Sequence, residues 1–190
     1  MYEIRWHGRG GQGAVSSAQI LAEAAYYQGF KGVAAAPFFG AERRGAPVTA
    51  STRFSHEQLQ VYSQIEHPDI AIVLDEALLD SSNVTAGLKT EGWLIVNSAR
   101  QPSELGVQGD FFVATADARS IAQQLGLLVT GNAIVNTAML GAFVRATGLV
   151  SLECVKRAIE SRFNGSAAGL NSEAARLTHD ATVLGFPAAV

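Results

Sequence analysis

The apolar positions change period along the chain, and the changes mark out alternating strands and helices. Residues 4–7 form a short apolar-leaning run followed at once by Gly8-Arg9-Gly10-Gly11-Gln12-Gly13, which predicts a strand running into a tight loop. Ala14, Ala18, Leu21, Ala22 and Ala25 then recur at helical spacing, an amphipathic helix of mostly small side chains that can lie close to a sheet. Gly29 ends it, and residues 33–36 read as a second strand closed by Pro37. Residues 48–54 alternate like a strand, with 61–65 as the expected antiparallel partner across the polar turn 55–58. Asp69-Ile70-Ala71-Ile72-Val73-Leu74-Asp75 is nearly continuously apolar, the pattern of a central strand covered on both faces. Its Asp75 falls at the carboxyl end, where capping a following helix is the simplest role.

Further strands are expected at 93–97 and 111–114, and Asp117 is placed to cap a short helix reaching 125. Asn132 opens a long helix to about 146, and two more helices cover 152–163 and 172–184, with 164–169 as their connection. No internal repeat, low-complexity tract or linker interrupts the series. The expectation is one α/β domain over residues 1–190, three-layered, with a mostly parallel sheet, an inserted hairpin and C-terminal helices.

Composition narrows the function. At 190 residues the chain can bury a sizeable core without metals or disulfides. Only 16% of residues are charged, against about 25% in ordinary soluble domains, which points to burial against a partner. Fourteen Lys and Arg against 17 Asp and Glu give a net charge of −3, so the electrostatic footprint of nucleic-acid binding is missing. Cys154 is the single cysteine, which excludes an intrachain disulfide or a cysteine-ligated cluster made by this chain alone. With no apolar leader and no run of about 20 apolar residues, the expected setting is the cytoplasm, away from membranes.

Two stretches break every period and carry the candidate chemistry. Gly8, Arg9, Gly10, Gly11, Gln12 and Gly13 lie between a strand and a helix N-terminus, where free N–H groups favour an anion such as phosphate. A dinucleotide fingerprint would also place an acidic residue about 20 residues on, at the end of the second strand. Ala35, Ala36 and Pro37 stand there, so ordinary NAD binding is disfavoured. A phosphate-bearing ligand and a purely conformational role for the glycines both remain open. The second stretch, Phe38-Phe39-Gly40-Ala41-Glu42-Arg43-Arg44-Gly45-Ala46-Pro47, sets two guanidiniums beside a carboxylate and two aromatics. Arginine grips phosphates and carboxylates through paired hydrogen bonds, and aromatics with arginine are enriched at interfaces. A ligand or interface loop is preferred there over a solvated charge cluster.

Nothing else forms a reactive set. His7 reads as a hydrogen-bonded structural residue, and His56, His67 and His179 lack metal-ligand spacing, so no metal site is predicted. Cys154 lies on an amphipathic helix without a nearby histidine, and no nucleophile, base and orienter emerge together, leaving catalytic residues unassigned.

Taken together, Arg5-Trp6-His7-Gly8-Arg9-Gly10-Gly11-Gln12-Gly13-Ala14-Val15 and Phe39-Gly40-Ala41-Glu42-Arg43-Arg44-Gly45-Ala46-Pro47-Val48 resemble the gamma subunit of 2-oxoacid:ferredoxin oxidoreductases of the pyruvate type. The resemblance continues through Pro68-Asp69-Ile70 and Leu74-Asp75-Glu76 into the late segment with Asn132, Met139, Leu140 and Gly141. It implies a component of a multisubunit enzyme that oxidatively decarboxylates a 2-oxoacid to an acyl-CoA, passing electrons to ferredoxin or another acceptor. Thiamine diphosphate, Mg2+ and iron–sulfur clusters would reside on partners: thiamine-binding alpha and beta subunits and a ferredoxin-like iron–sulfur subunit. The gamma part is associated with coenzyme A and assembly. Carried over, Gly8 to Gly13 and the Glu42, Arg43, Arg44 loop become candidates for the CoA phosphates. The apolar Ala36-Pro37-Phe38-Phe39 departs from the commoner pyruvate pattern and would suit a bulkier acid such as phenylglyoxylate or indolepyruvate beside pyruvate itself. A docking subunit without a ligand of its own is the alternative.

Overall fold

The computed structural model describes residues 1–37, 45–60 and 63–185. Strand β1 (Tyr2–Arg9) leads through the glycine loop into helix α1 (Ala14–Gln28), and β2 (Gly32–Pro37) follows. The chain continues with β3 (Pro47–Ser55), β4 (Ile70–Val73), the short α2 (Leu78–Ser81), β5 (Trp93–Asn97), β6 (Phe112–Ala116) and α3 (Ala118–Gln124). A small ribbon of β7 (Leu128–Val129) and β8 (Asn132–Ala133) precedes helices α4 (Ala138–Thr147), α5 (Leu152–Arg162) and α6 (Gly165–Ala181), and β9 (Val183–Gly185) closes the described chain.

One seven-stranded sheet has the order β2-β3-β1-β4-β5-β6-β9. Neighbours β1, β4, β5 and β6 pair in parallel, while β3 lies antiparallel between β1 and β2, and β9 is antiparallel to β6. Strand β2 therefore runs with β1, so all strands of this sheet except β3 and β9 share one direction, as the apolar β4 and β5 sequences required. The expected hairpin is antiparallel, but its partners differ. Strand β3 is hydrogen-bonded to β1 on one side and β2 on the other, which leaves no edge for the 61–65 segment; residues 63–65 are not a strand.

Two other expectations shift. Asn132 belongs to β8, and the helix opens only at Ala138. Thr130 and Gly131 have φ of 49° and 79°, and two successive left-handed residues reverse the chain into a ribbon. The last helix begins at Gly165, ahead of the expected 172, because Ala168, Asn171, Ala174, Ala175 and Thr178 make one continuous buried face. It also ends early, and the residues after it add the edge strand β9.

The larger core lies between the sheet and helices α1, α3, α4, α5 and α6. Ile4, Trp6, Phe54, Ile72, Leu21, Met139 and Phe143 are wholly buried there. The Trp6 indole donates to Thr52 Oγ1 at 3.0 Å, and that hydroxyl donates to the Ala18 carbonyl at 2.9 Å, so both of these buried polar groups are paired. On the opposite face a smaller apolar cluster forms where Ala71, Val73, Leu94 and Val96 of β4 and β5 meet Leu78, Val84, Leu105 and Phe111, with Val113 of β6 packed against it.

Candidate functional site

The carboxyl ends of β1 and β4 lie side by side, and the chain leaves them in opposite directions: α1 carries it toward β2, and the β4 exit carries it toward β5. In α/β sheets such a switch point opens a crevice. The glycine loop fills one wall. Gly13 caps α1 with φ 83°, and a side chain there would collide with Asn136, whose Nδ2 would lie 2.7 Å away. Only glycine allows that backbone turn and that close approach. Ser17 Oγ donates to the Gly13 and Asn136 carbonyls, at 3.1 and 3.2 Å, tying α1 to the segment before α4.

The loop is held from beneath by Asp75. Its Oδ2 accepts from Arg9 Nε at 2.8 Å and from Gln12 Nε2 at 3.1 Å, while Oδ1 accepts from the Ala77 N–H at 3.1 Å. Gln12 Oε1 in turn accepts from the Arg9 N–H at 2.7 Å. Partial burial pushes the Asp75 carboxyl up, but the hydrogen bonds from Arg9, Gln12 and Ala77 outweigh it and hold the carboxyl below its ordinary range. The helix-capping role expected of Asp75 is not found: Ala77 is the N-cap of α2 and no side chain caps it, so the Asp75 bond to the Ala77 N–H only closes the turn before the helix, and its main role, orienting the loop, was missed by sequence reasoning. The signal was its position at the end of the central strand.

A cleft of about 560 Å³ opens above this network. Arg9, Gly10, Gly11, Gln12, Gly45 and Asp75 form one side; Arg119, Gln123 and residues 129–134 form the other. Gly10 donates to the Ala46 carbonyl at 2.8 Å and accepts from Gly45 N–H at 3.2 Å, so both its backbone groups are committed. Gly11 differs: its N–H meets no acceptor among the described residues, and the space where a Cβ would stand is open. Arg119, on α3, sends its N–H to Asn97 Oδ1 at 3.3 Å, while its guanidinium has no hydrogen bond or ion pair among the described residues. Arg119 and the ribbon were not singled out from sequence; Arg119 follows directly on the carboxyl end of β6, the location that parallel-sheet geometry favours.

Of the expected site residues, Gly8 lies beneath the loop, packed near Leu74 and Ala14, and Arg9 to Gln12 line the cleft. Glu42, Arg43 and Arg44 lie outside the described residues. The end of β2, where a ribose-binding acid would stand in a dinucleotide fold, is separated from β1 by β3, so it does not adjoin the loop.

His7 sits below the cleft, buried, its Nε2 accepting from Arg5 Nε at 3.0 Å. Burial, with Arg5 nearby, lowers its pKa to about 4, which keeps the ring neutral and fits the structural role expected of it. A second cleft of about 450 Å³ lies against β3 and is lined by Arg5 and Arg53. Both guanidiniums are occupied there: Arg5 by His7 and the Val84 and Ala86 carbonyls, Arg53 by Glu3 at 2.9 Å. The cleft at the glycine loop, by contrast, carries a guanidinium, that of Arg119, with no partner among the described residues, and an open backbone at Gly11.

Residues 3–181 match the family described as "Pyruvate ferredoxin/flavodoxin oxidoreductase". The chain belongs to that family. It is a gamma-type member: it is 48% identical over 185 residues to the "Pyruvate/ketoisovalerate oxidoreductases common subunit gamma" of Pyrococcus furiosus, covering 96% of this chain and 97% of the relative. It is 49% identical over 180 residues to "Pyruvate synthase subunit PorC" of Methanocaldococcus jannaschii, covering 95% and 96%. The crystal structure of the pyruvate oxidoreductase subunit PORC of Thermotoga maritima superposes with a TM-score of 0.83 at 38% identity, covering 96% of this chain and 97% of that one. The fold is also shared, at TM-score 0.73 and 21% identity over 99% of this chain and 33% of the other, with a 2-oxoglutarate:ferredoxin oxidoreductase of Magnetococcus marinus described with coenzyme A bound.

Proposed function

We propose that this gamma-type chain binds coenzyme A and docks on the catalytic subunits of a complex that oxidatively decarboxylates a 2-oxoacid to an acyl-CoA. The observation that carries the reading is the cleft at the switch point, where the Gly11 backbone and the Arg119 guanidinium face the same opening. Its size lies within the roughly 300–1,000 Å³ of ligand sites, and coenzyme A is a polyanion that asks for arginines and exposed N–H groups. Gly11 N–H, the outer nitrogens of Arg9 and the Arg119 guanidinium would hold phosphates, and Glu42, Arg43 and Arg44 are further candidates on the sequence alone. Coenzyme A supplies the thiol that accepts the acyl group. This chain's residues bind and orient it, and Asp75 keeps Arg9 and Gln12 in place while they do so.

Thiamine diphosphate, Mg2+ and the iron–sulfur clusters are assigned to alpha, beta and ferredoxin-like partner subunits, and ferredoxin or another carrier to the electron output. Cys154 is the only cysteine, and among the described residues no group of three or more His, Cys, Asp or Glu gathers as metal ligands. No helix of the described residues is long and apolar enough to cross a membrane. Pyruvate is the proposed substrate, with 2-ketoisovalerate next. Relatives described as a gamma subunit common to pyruvate and ketoisovalerate oxidoreductases imply that acid selectivity lies on other subunits, so the apolar 36–39 stretch need not select phenylglyoxylate or indolepyruvate.

The test is the purified complex assayed for CoA-dependent dye reduction with those four acids. Arg43→Ala with Arg44→Ala should raise the KM for CoA while the complex stays intact; an unchanged KM sinks the assignment of that loop. The full commitment of Gly10 to Gly45 and Ala46 favours a second reading, in which the loop only braces the fold for docking. Then the double variant would dissociate the complex without touching the CoA dependence of whatever activity remains.

A further inference from the structure

We infer that Arg119 reads the 3′-phosphate that distinguishes coenzyme A from dephospho-coenzyme A; this rests on the coenzyme A reading of the cleft. Arginine side chains in the described residues are mostly engaged. Arg5 serves His7 and two carbonyls, Arg9 serves Asp75, Arg53 serves Glu3, Arg100 serves Glu76, Arg157 lies over the Tyr27 ring, and Arg162 and Arg176 have acidic partners. Arg119 lines the cleft with no such partner among the described residues.

The nearby carboxylate does not take it up: Asp117, the N-cap of α3, accepts from the Ser120 N–H at 3.0 Å and the Ser120 hydroxyl at 2.6 Å. Across the cleft, the Gly11 backbone suits a diphosphate, because close approach of main chain to phosphate needs the missing Cβ. Arg119 is exposed at the opposite wall, as a residue reading a terminal, solvent-facing monoester should be. The division of labour sets the Gly11 backbone and Arg9, on one wall, on the diphosphate and Arg119, on the other, on the 3′-phosphate that the dephospho compound lacks.

The experiment measures KM for coenzyme A and for dephospho-coenzyme A with the assembled complex, carrying either the native chain or Arg119→Ala. The native complex should prefer coenzyme A. Arg119→Ala should raise the KM for coenzyme A about tenfold, the scale of one charge-assisted hydrogen bond, leave the KM for dephospho-coenzyme A within about twofold, and leave kcat unchanged. Arg119→Lys should recover part of the preference. Equal increases for both compounds, or none for either, overturn the inference. Photo-crosslinking with an azido-coenzyme A separates the two levels: label confined to another subunit removes the coenzyme A reading itself, whereas label on the 8–13 or 119–134 peptides with unaltered Arg119→Ala kinetics removes only the role of Arg119.

Discussion

The two faces of strand β1 obey different physics. Ile4 and Trp6 point into the helix-covered core and are wholly buried, whereas Glu3, Arg5 and His7 line the opposite face with ion pairs and hydrogen bonds. Side chains alternate across a strand, so one eight-residue segment serves both. On the first face stability comes from apolar area and close packing, insensitive to pH. On the second it depends on protonation states and paired charges, and that face leads directly to Arg9 and the cleft. The site is thus mounted on a rigid apolar layer and adjusted through a polar one.

The largest effect should come from breaking the apolar face. Trp6→Ala removes the biggest fully buried side chain and leaves the Thr52 hydroxyl without its indole donor, for a loss of about 3–5 kcal/mol in urea denaturation. Gly141→Val, on the far side of the same layer, would drive a side chain into the Ala175 carbonyl where α4 crosses α6, and a loss of roughly 3 kcal/mol is expected. A variant with native Tm would show that the two helices can separate freely.

On the polar face, Arg53→Met leaves Glu3 without its partner and should cost about 2–3 kcal/mol. Adding Glu3→Gln should return a large part of it, and a double-mutant cycle measures how much. The His7 effect depends on pH. Its folded pKa of about 4 lies below the unfolded value of roughly 6.5, so between these values the unfolded chain binds more protons. Stability is complete above the upper value and declines as pH falls through the window. His7→Gln should flatten the Tm profile there, and an unchanged slope would place the titration elsewhere.

Asp75 works in a more acidic window. Its folded pKa is depressed, so its contribution is present above the unfolded value near 3.9 and is lost as pH drops through the folded one. Asp75→Asn should flatten the profile below about pH 4 while leaving the His7 window intact. The smallest effect belongs to the exposed Lys156–Glu160 pair, 4.0 Å apart, where Lys156→Ala should change stability by no more than about 0.5 kcal/mol.

Much of the fold could be read from local pattern. The continuous apolar run of β4, the small-residue spacing of α1 and the glycine loop between strand and helix each express a local preference that the tertiary structure merely confirms. The candidate cleft was legible in the same way, through Gly8 to Gly13, because glycine at Gly13 answers a backbone requirement visible in sequence as a cluster.

What pairing and packing decided was hidden, because those choices lie between residues far apart in the chain. Strand β3 paired with β1 and β2, with no edge left for the following 61–65 segment, because the β1-α1-β2 unit already presented both edges. Thr130 entered a left-handed turn that its residue type does not announce, and so turned the expected start of a helix into one wall of the cleft. Asp75 acquired Arg9 and Gln12 only because parallel pairing set the end of β4 beside that of β1, and Arg119 reached the same opening from two strands further along the sheet. Most of the elements and the family follow from short-range periodicity and motif, which the chain carries locally. The tertiary structure decided which charges remain free to meet a ligand, since that depends on which partners distant segments bring within hydrogen-bond reach.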